Sequence, residues 1–203
     1  MEKIMRYMQL IFVVFSTLLL ISVATADDKH VHKPIDPQEM MEIYAKLATP
    51  GEPHKLFASL TGSWTTKTKE WMDLQKPFVE STGSADIKML LDGRFLQQEV
   101  TGSMHGKPFS GIWTIAYDNL LKQYVSTWID TMSTQIFMMA GTASTDGKVI
   151  TFTGQHAEIG GGHMTHRAIW KIEDGNNQEF VMYGTHYGGK EIKMLETTYM
   201  RKQ

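Results

Sequence analysis

His156, Met164, His166 and His186 lie in three successive segments in which apolar residues alternate with polar ones. Imidazole with thioether suits copper or haem iron, and three imidazoles suit zinc or copper. Whether these side chains meet depends on register. A symmetric loop around 173–177 sets Ile172 opposite Gln178, Trp170 opposite Phe180 and Met164 opposite His186. A similar loop at Gly160-Gly161-Gly162 sets His156 opposite Met164. Directly opposed residues share a sheet face. One face then carries Phe152, His156, Met164, His166, Trp170, Phe180, Met182 and His186. The other carries Arg167, Lys171 and Glu179, with Lys148 breaking the parity. The apolar face is the expected interior, and it gathers the three histidines and Met164 at one end, above a floor of Phe152, Trp170 and Phe180. A one-residue slip in either loop would scatter the group. Two plainer readings stay open: histidines on a solvated rim, or histidines hydrogen-bonding an organic ligand.

Arg94, Glu99 and Asp130 are the charged candidates, because a charge inside a folded barrel is costly unless it is paired or meets a ligand. Trp128 shares the alternation of Asp130, and Trp113 lies in the preceding apolar segment. Twelve of the 15 methionines follow residue 26, and methionine fits either an irregular ligand or an ordinary core. Nothing resembles a nucleophile motif, a spaced carboxylate pair or a phosphate loop, so catalysis is not the leading expectation.

The elements that must position these groups begin after residue 26. Lys3 and Arg6, an apolar run from Leu10 to Val23, and Ala24-Thr25-Ala26 form a signal-peptide pattern over 1–26. That run is shorter than the roughly 20 residues a membrane-spanning helix needs, so cleavage and a periplasmic or secreted protein are expected, with no membrane span left. About 177 residues remain, with 18 basic against 21 acidic side chains and no basic stripe, which argues against nucleic acid. Cysteine is absent, so burial alone must supply stability.

A tether and two short helices are expected over 27–60. Asp36, Pro37 and Glu39 start the first helix, whose apolar stripe is Met40, Ile43, Tyr44 and Leu47; Pro53 starts the second, with Leu56, Phe57 and Leu60 on one face. Over 61–203 the period changes to two. About ten strand-like runs are expected, near 63–72, 78–90, 94–104, 108–117, 122–130, 134–143, 148–156, 163–172, 178–187 and 190–201. Short connections make sequence neighbours pair as hairpins, and a meander this long hides its edges only by closing. The expected fold is an all-β, up-and-down antiparallel barrel.

Leu60-Thr61-Gly62-Ser63-Trp64 at the passage from helix to first strand resembles the Gly-x-Trp start of lipocalins and fatty-acid-binding proteins. The lipocalin resemblance implies that Trp64 plugs one end and that Arg201, on the final strand, packs over its ring. A closer resemblance covers nearly the whole chain after the signal peptide. It rests on that pentapeptide, on Asp92-Gly93-Arg94-Phe95-Leu96-Gln97-Gln98-Glu99, and on Gly111, Tyr117-Asp118-Asn119, Lys122, Tyr124 and Trp128-Ile129-Asp130. Leu195-Glu196, Tyr199 and Arg201 complete it. On these residues the chain is similar to a bacterial family catalogued as domain of unknown function 1579, with a lipocalin-like (calycin) barrel. That resemblance implies fold and bacterial origin and carries no activity.

The leading reading is therefore an exported, non-catalytic barrel that binds a small apolar or amphipathic ligand. Its pocket candidates are Arg94, Glu99, Trp113, Trp128, Asp130, Phe152, His166, Trp170, Phe180 and Met182. Two alternatives stand beside it: a haem or copper protein using His156, Met164, His166 and His186, and a hydrolase- or isomerase-like enzyme using pocket His, Asp and Glu.

Overall fold

The computed structural model describes residues 35–71, 76–104, 106–186 and 189–203. The expected signal peptide and most of the tether, including His30 and His32, lie outside the described residues.

Helix α1 (Pro37–Leu47) begins at its proline with Glu39 in the first turn, and none of its residues is buried. Its apolar stripe is thus largely a solvent face, with Met40, Ile43 and Tyr44 exposed and Leu47 half-buried. The segment after it is fastened by Asn119, whose Nδ2 donates to the carbonyls of Leu47 (2.8 Å) and Thr49 (2.9 Å). Helix α2 (Glu52–Ser59) has Pro53 in its first turn, where the missing N–H costs nothing. The Gly51 N–H donates to His54 Nδ1 at 2.9 Å, and α2 buries His54 and Phe57. Phe57 stacks on Trp170 and meets Tyr124 edge-on, so α2 closes one end of the barrel.

Ten strands follow: β1 (Gly62–Glu70), β2 (Val79–Leu90), β3 (Phe95–Met104), β4 (Lys107–Asp118), β5 (Gln123–Asp130), β6 (Phe137–Ala143), β7 (Val149–Ala157), β8 (His163–Ile172), β9 (Asn177–His186) and β10 (Ile192–Arg201). Each pairs with its sequence neighbour, and β1 pairs antiparallel with β10 to close the barrel. All ten expected strands are present. The largest shift is β6, which starts at Phe137 because the preceding residues are held in turns: Asp130 Oδ1 accepts the Met132 N–H (2.8 Å) and Ser133 Oγ the Gln135 N–H (2.9 Å). The register expected for the last strands is the one observed: His156 opposite Met164, Met164 opposite His186, Trp170 opposite Phe180 and Ile172 opposite Gln178.

Alternation explains the core. In β8, Met164, His166, Ala168, Trp170 and Ile172 are buried, while the residues between them turn outward. Trp64, Leu96, Ile115, Ile150, Phe152 and Trp170 are fully buried, each such side chain contributing about 1.5–3 kcal/mol by leaving water. At the closed end the Arg201 guanidinium lies 4.4 Å from the centre of the Trp64 ring. It donates to the carbonyls of Gly175 (2.6 Å), Thr61 (2.6 Å) and Ser59 (2.7 Å). Trp64 Nε1 donates to the Leu60 carbonyl at 3.0 Å. Gly62 has a φ of 127°, and a Cβ there would press on Arg201 Nη1, so the glycine of Gly-x-Trp supplies both a conformation and a space.

Candidate functional site

Opposite the Trp64 end, the strands enclose a cavity of about 250 Å³. Its walls differ. Phe109 and Trp113 of β4, Trp128 of β5, Phe137 and Met139 of β6, and Phe180 and Met182 of β9 form an aromatic and thioether wall. Thr66 and Thr68 of β1, Ser81 of β2, Gln98 of β3, and Thr197 and Tyr199 of β10 form a polar one. On the polar side, Thr68 and Thr197 hydroxyls share a 3.0 Å hydrogen bond and Gln98 Nε2 donates to the Tyr199 hydroxyl at 3.1 Å. Burial pushes the Tyr199 phenol up to about 12, so it stays protonated at neutral pH. Two carboxylates line the cavity, Glu70 and Asp130, and among the described residues no Lys, Arg or His does. Asp130 Oδ2 accepts the Trp128 Nε1–H at 2.6 Å, which fixes the indole; Phe109 stacks along its other side. Gly111 leaves room for that indole, since a Cβ there would overlap the Trp128 ring.

Trp113, Trp128, Asp130, Phe180 and Met182, five of the expected pocket residues, line the cavity. Phe152 and Trp170 lie in the fully buried layer, where Trp113 meets both edge-on, and they act as floor. His166 is buried behind Phe137, whose ring centre is 5.0 Å from its own. Arg94 and Glu99 require correction. Arg94 follows a turn in which Leu91, Asp92 and Gly93 all have positive φ; it donates to the Leu91 carbonyl at 3.0 Å and its charge is felt by His54 of α2. Glu99 points outward and pairs with Lys88 at 2.6 Å, because Leu96 and Gln98 take the inward positions of β3. The polar wall and Glu70 were not anticipated. Thr66, Thr68 and Glu70 share the parity of Trp64, and that parity was the available signal.

The histidines come together only in part. His166 Nε2 and His156 Nδ1 are 2.8 Å apart, with the rings stacked at 4.8 Å. His186 instead turns to Glu158, 2.7 Å from Nδ1 to Oε1. Among the described residues no three of His, Asp and Glu converge on one metal position. Burial, with the neighbouring His156 and His186, lowers the His166 pKa to about 4.

Among proteins of curated function none matches the chain in sequence. In fold it resembles the crystal structure of Rv2717c from M. tuberculosis, with 14% identity and a TM-score of 0.56 over 76% of this chain and 100% of that one. It also resembles the S-type phycobiliprotein lyase CPES from Guillardia theta, with 11% identity and a TM-score of 0.50 over 73% of this chain and 92% of that one. At such identities the likeness is one of fold. The family model described as protein of unknown function (DUF1579) matches residues 49–201, a span that runs from the linker before α2 through the seam strand β10, and the chain belongs to that family.

Proposed function

We propose that the protein is an exported carrier of a small amphipathic molecule, and that it performs no reaction on it. The observation that carries this reading is the two-faced cavity: an aromatic and methionine wall facing a wall of hydroxyls, with carboxylates as the only charges among the described lining residues. An apolar body would lie against Trp113, Trp128 and Phe180, its polar end toward the hydroxyls. Export rests on the signal-peptide pattern of residues 1–26. Non-catalysis rests on the cavity's chemistry: Asp130 is already committed to the Trp128 indole, and among the described lining residues no hydroxyl is hydrogen-bonded to a carboxylate or imidazole base.

Three probes of one shape test it: 4-phenylbutan-1-ol, 4-phenylbutylamine and 4-phenylbutyrate. The alcohol and amine are expected to change tryptophan fluorescence and raise Tm, since a ligand that binds only the folded state stabilises it. The butyrate should bind at least tenfold more weakly, repelled by Asp130 and Glu70. Silence from all three, in fluorescence and in melting, would refute the carrier reading. Gly111→Ala gives a sharper version. Its Cβ drives the Trp128 ring off its seat and toward the cavity, so affinity for the alcohol should fall about tenfold, alongside an overpacking cost of about 1–3 kcal/mol. Trp128→Ala in the same chain removes the overlap, so the double variant should be more stable than additivity requires.

A further inference from the structure

We propose that a soft-metal site selective for copper(I) lies beside the cavity, built from His156, His166, Met164 and Met194. Three independent features converge there. The first is register: His166 is flanked across the sheet by Gly154 on one side and Gly184 on the other, while Met164, two residues before it, is flanked by His156 and His186. On the Gly154 side the Met138 carbonyl and Met139 close in, whereas the bare Gly184 leaves a hollow on the other flank of that imidazole.

The second is what fills that hollow. A Cβ at Gly184 would overlap Met194 Sδ and lie 3.2 Å from Met164 Sδ. Cross-strand Cβ positions are about 4.5–5.5 Å apart, so both thioether sulfurs crowd the position next to His166. Met194 reaches it through a register irregularity in β10, where the pairing with β9 shifts between Lys193 and Leu195. Leu195 lines the cavity, and its immediate neighbour Met194 also meets the inward side of Gly184. Strict alternation would send these two in opposite directions, and re-aiming a side chain is what such bulges do beside functional sites.

The third is the meeting of His156 Nδ1 and His166 Nε2 at 2.8 Å. Two imidazole nitrogens bound to a tetrahedral ion at about 2.0–2.1 Å stand roughly 3.3 Å apart. Parting the rings by about half an ångström therefore admits a metal ion, the N–H between them moving to the other nitrogen of its own ring so that both imidazoles stay neutral. The donor set is two imidazoles and two thioethers, all uncharged, in a largely buried place. Thioether selects copper(I) over harder ions, and a monovalent cation is less costly to bury than a divalent one. His186 is left outside the set, held by Glu158.

The test uses the full chain under anaerobic conditions, titrated with copper(I) against bathocuproine disulfonate. One copper per chain should be retained, and the His156→Gln/His166→Gln double variant should lose at least 100-fold in affinity. Met164→Leu and Met194→Leu, which conserve volume, should each lose about tenfold while keeping the copper-free Tm and the affinity for 4-phenylbutan-1-ol. X-ray absorption should show both nitrogen and sulfur ligands, and equimolar zinc should not displace the copper. Loss of all copper to the chelator, affinity unmoved in the double-histidine variant, or affinity unmoved in both methionine variants would each overturn the assignment. The carrier reading does not depend on this outcome, because the cavity lining excludes all four ligands.

Discussion

Trp64→Ala is expected to cost about 3–5 kcal/mol of unfolding free energy, a large fraction of the roughly 5–15 kcal/mol that holds an ordinary domain folded. The ring is fully buried at the closed end, so the substitution opens a void among Leu60, Phe57 and the first layer of strands. It also removes the donor that satisfies the Leu60 carbonyl and the surface beneath the Arg201 guanidinium. Trp64→Phe keeps part of the ring and should cost less, and Arg201→Lys should be costly for its size, since one ammonium cannot reach the carbonyls of Ser59, Thr61 and Gly175 with a planar fork. Urea denaturation followed by circular dichroism measures all three; a Trp64→Ala midpoint equal to wild type would show that the plug is dispensable.

Acid sensitivity should centre on His166. Its folded pKa of about 4 lies below the ordinary value of 6.5, so the barrel favours the neutral ring. Above pH 6.5 neither state binds the proton and this contribution is fully present. As pH falls from 6.5 toward 4 the unfolded chain takes up a proton that the folded one refuses, and stability drops by up to about 3 kcal/mol. Below 4 both states are protonated and the loss levels off. Burial resists protonation of His166 most, followed by His156 and His186, while the Tyr183 backbone and Glu158 favour it. Urea midpoints of the metal-free protein at pH 7.5, 5.5 and 4.5 should fall in that order, and His166→Gln should flatten the trend. A trend of the same slope in the variant would assign the effect elsewhere.

The strands of this barrel were legible because Thr, Val, Ile and aromatic residues alternate between short Gly, Asp and Asn breaks, and because each break closes a hairpin. The register of β7, β8 and β9 followed from the loop lengths alone, which is why His156, Met164 and His186 stand in a row as expected. Trp64 and Arg201 were legible as a closing pair for a different reason, the Gly-x-Trp resemblance to lipocalins; that Gly62 leaves room for the guanidinium is visible only in the folded chain. Charge placement was harder. Phe95-Leu96-Gln97-Gln98-Glu99 has no clean alternation, since the buried Gln98 looks like a surface residue until its hydrogen bond to Tyr199 is seen. Glu99 and Arg94 were misplaced by that break in the pattern. Likewise nothing in Lys193-Met194-Leu195 announces the shift that changes parity there. Asn119 read as a turn residue, yet its amide clamps the segment leading into α2, a role that only the assembled chain reveals.

The seam between β1 and β10 gives the barrel an unusual dependence on strand β10. Nine of the ten strand pairs join sequence neighbours and need no distant partner, whereas the tenth joins Trp64 to Arg201. Until β10 has docked on β1, the folding chain carries two open edges, each able to accept a strand from another copy. Arrival of β10 at β1, more than any hairpin contact, thus separates a closed barrel from a strand-exchanged oligomer. A chain truncated before Ile192 should accumulate as such oligomers, while a circular permutant that links the two seam strands and opens any hairpin should still close.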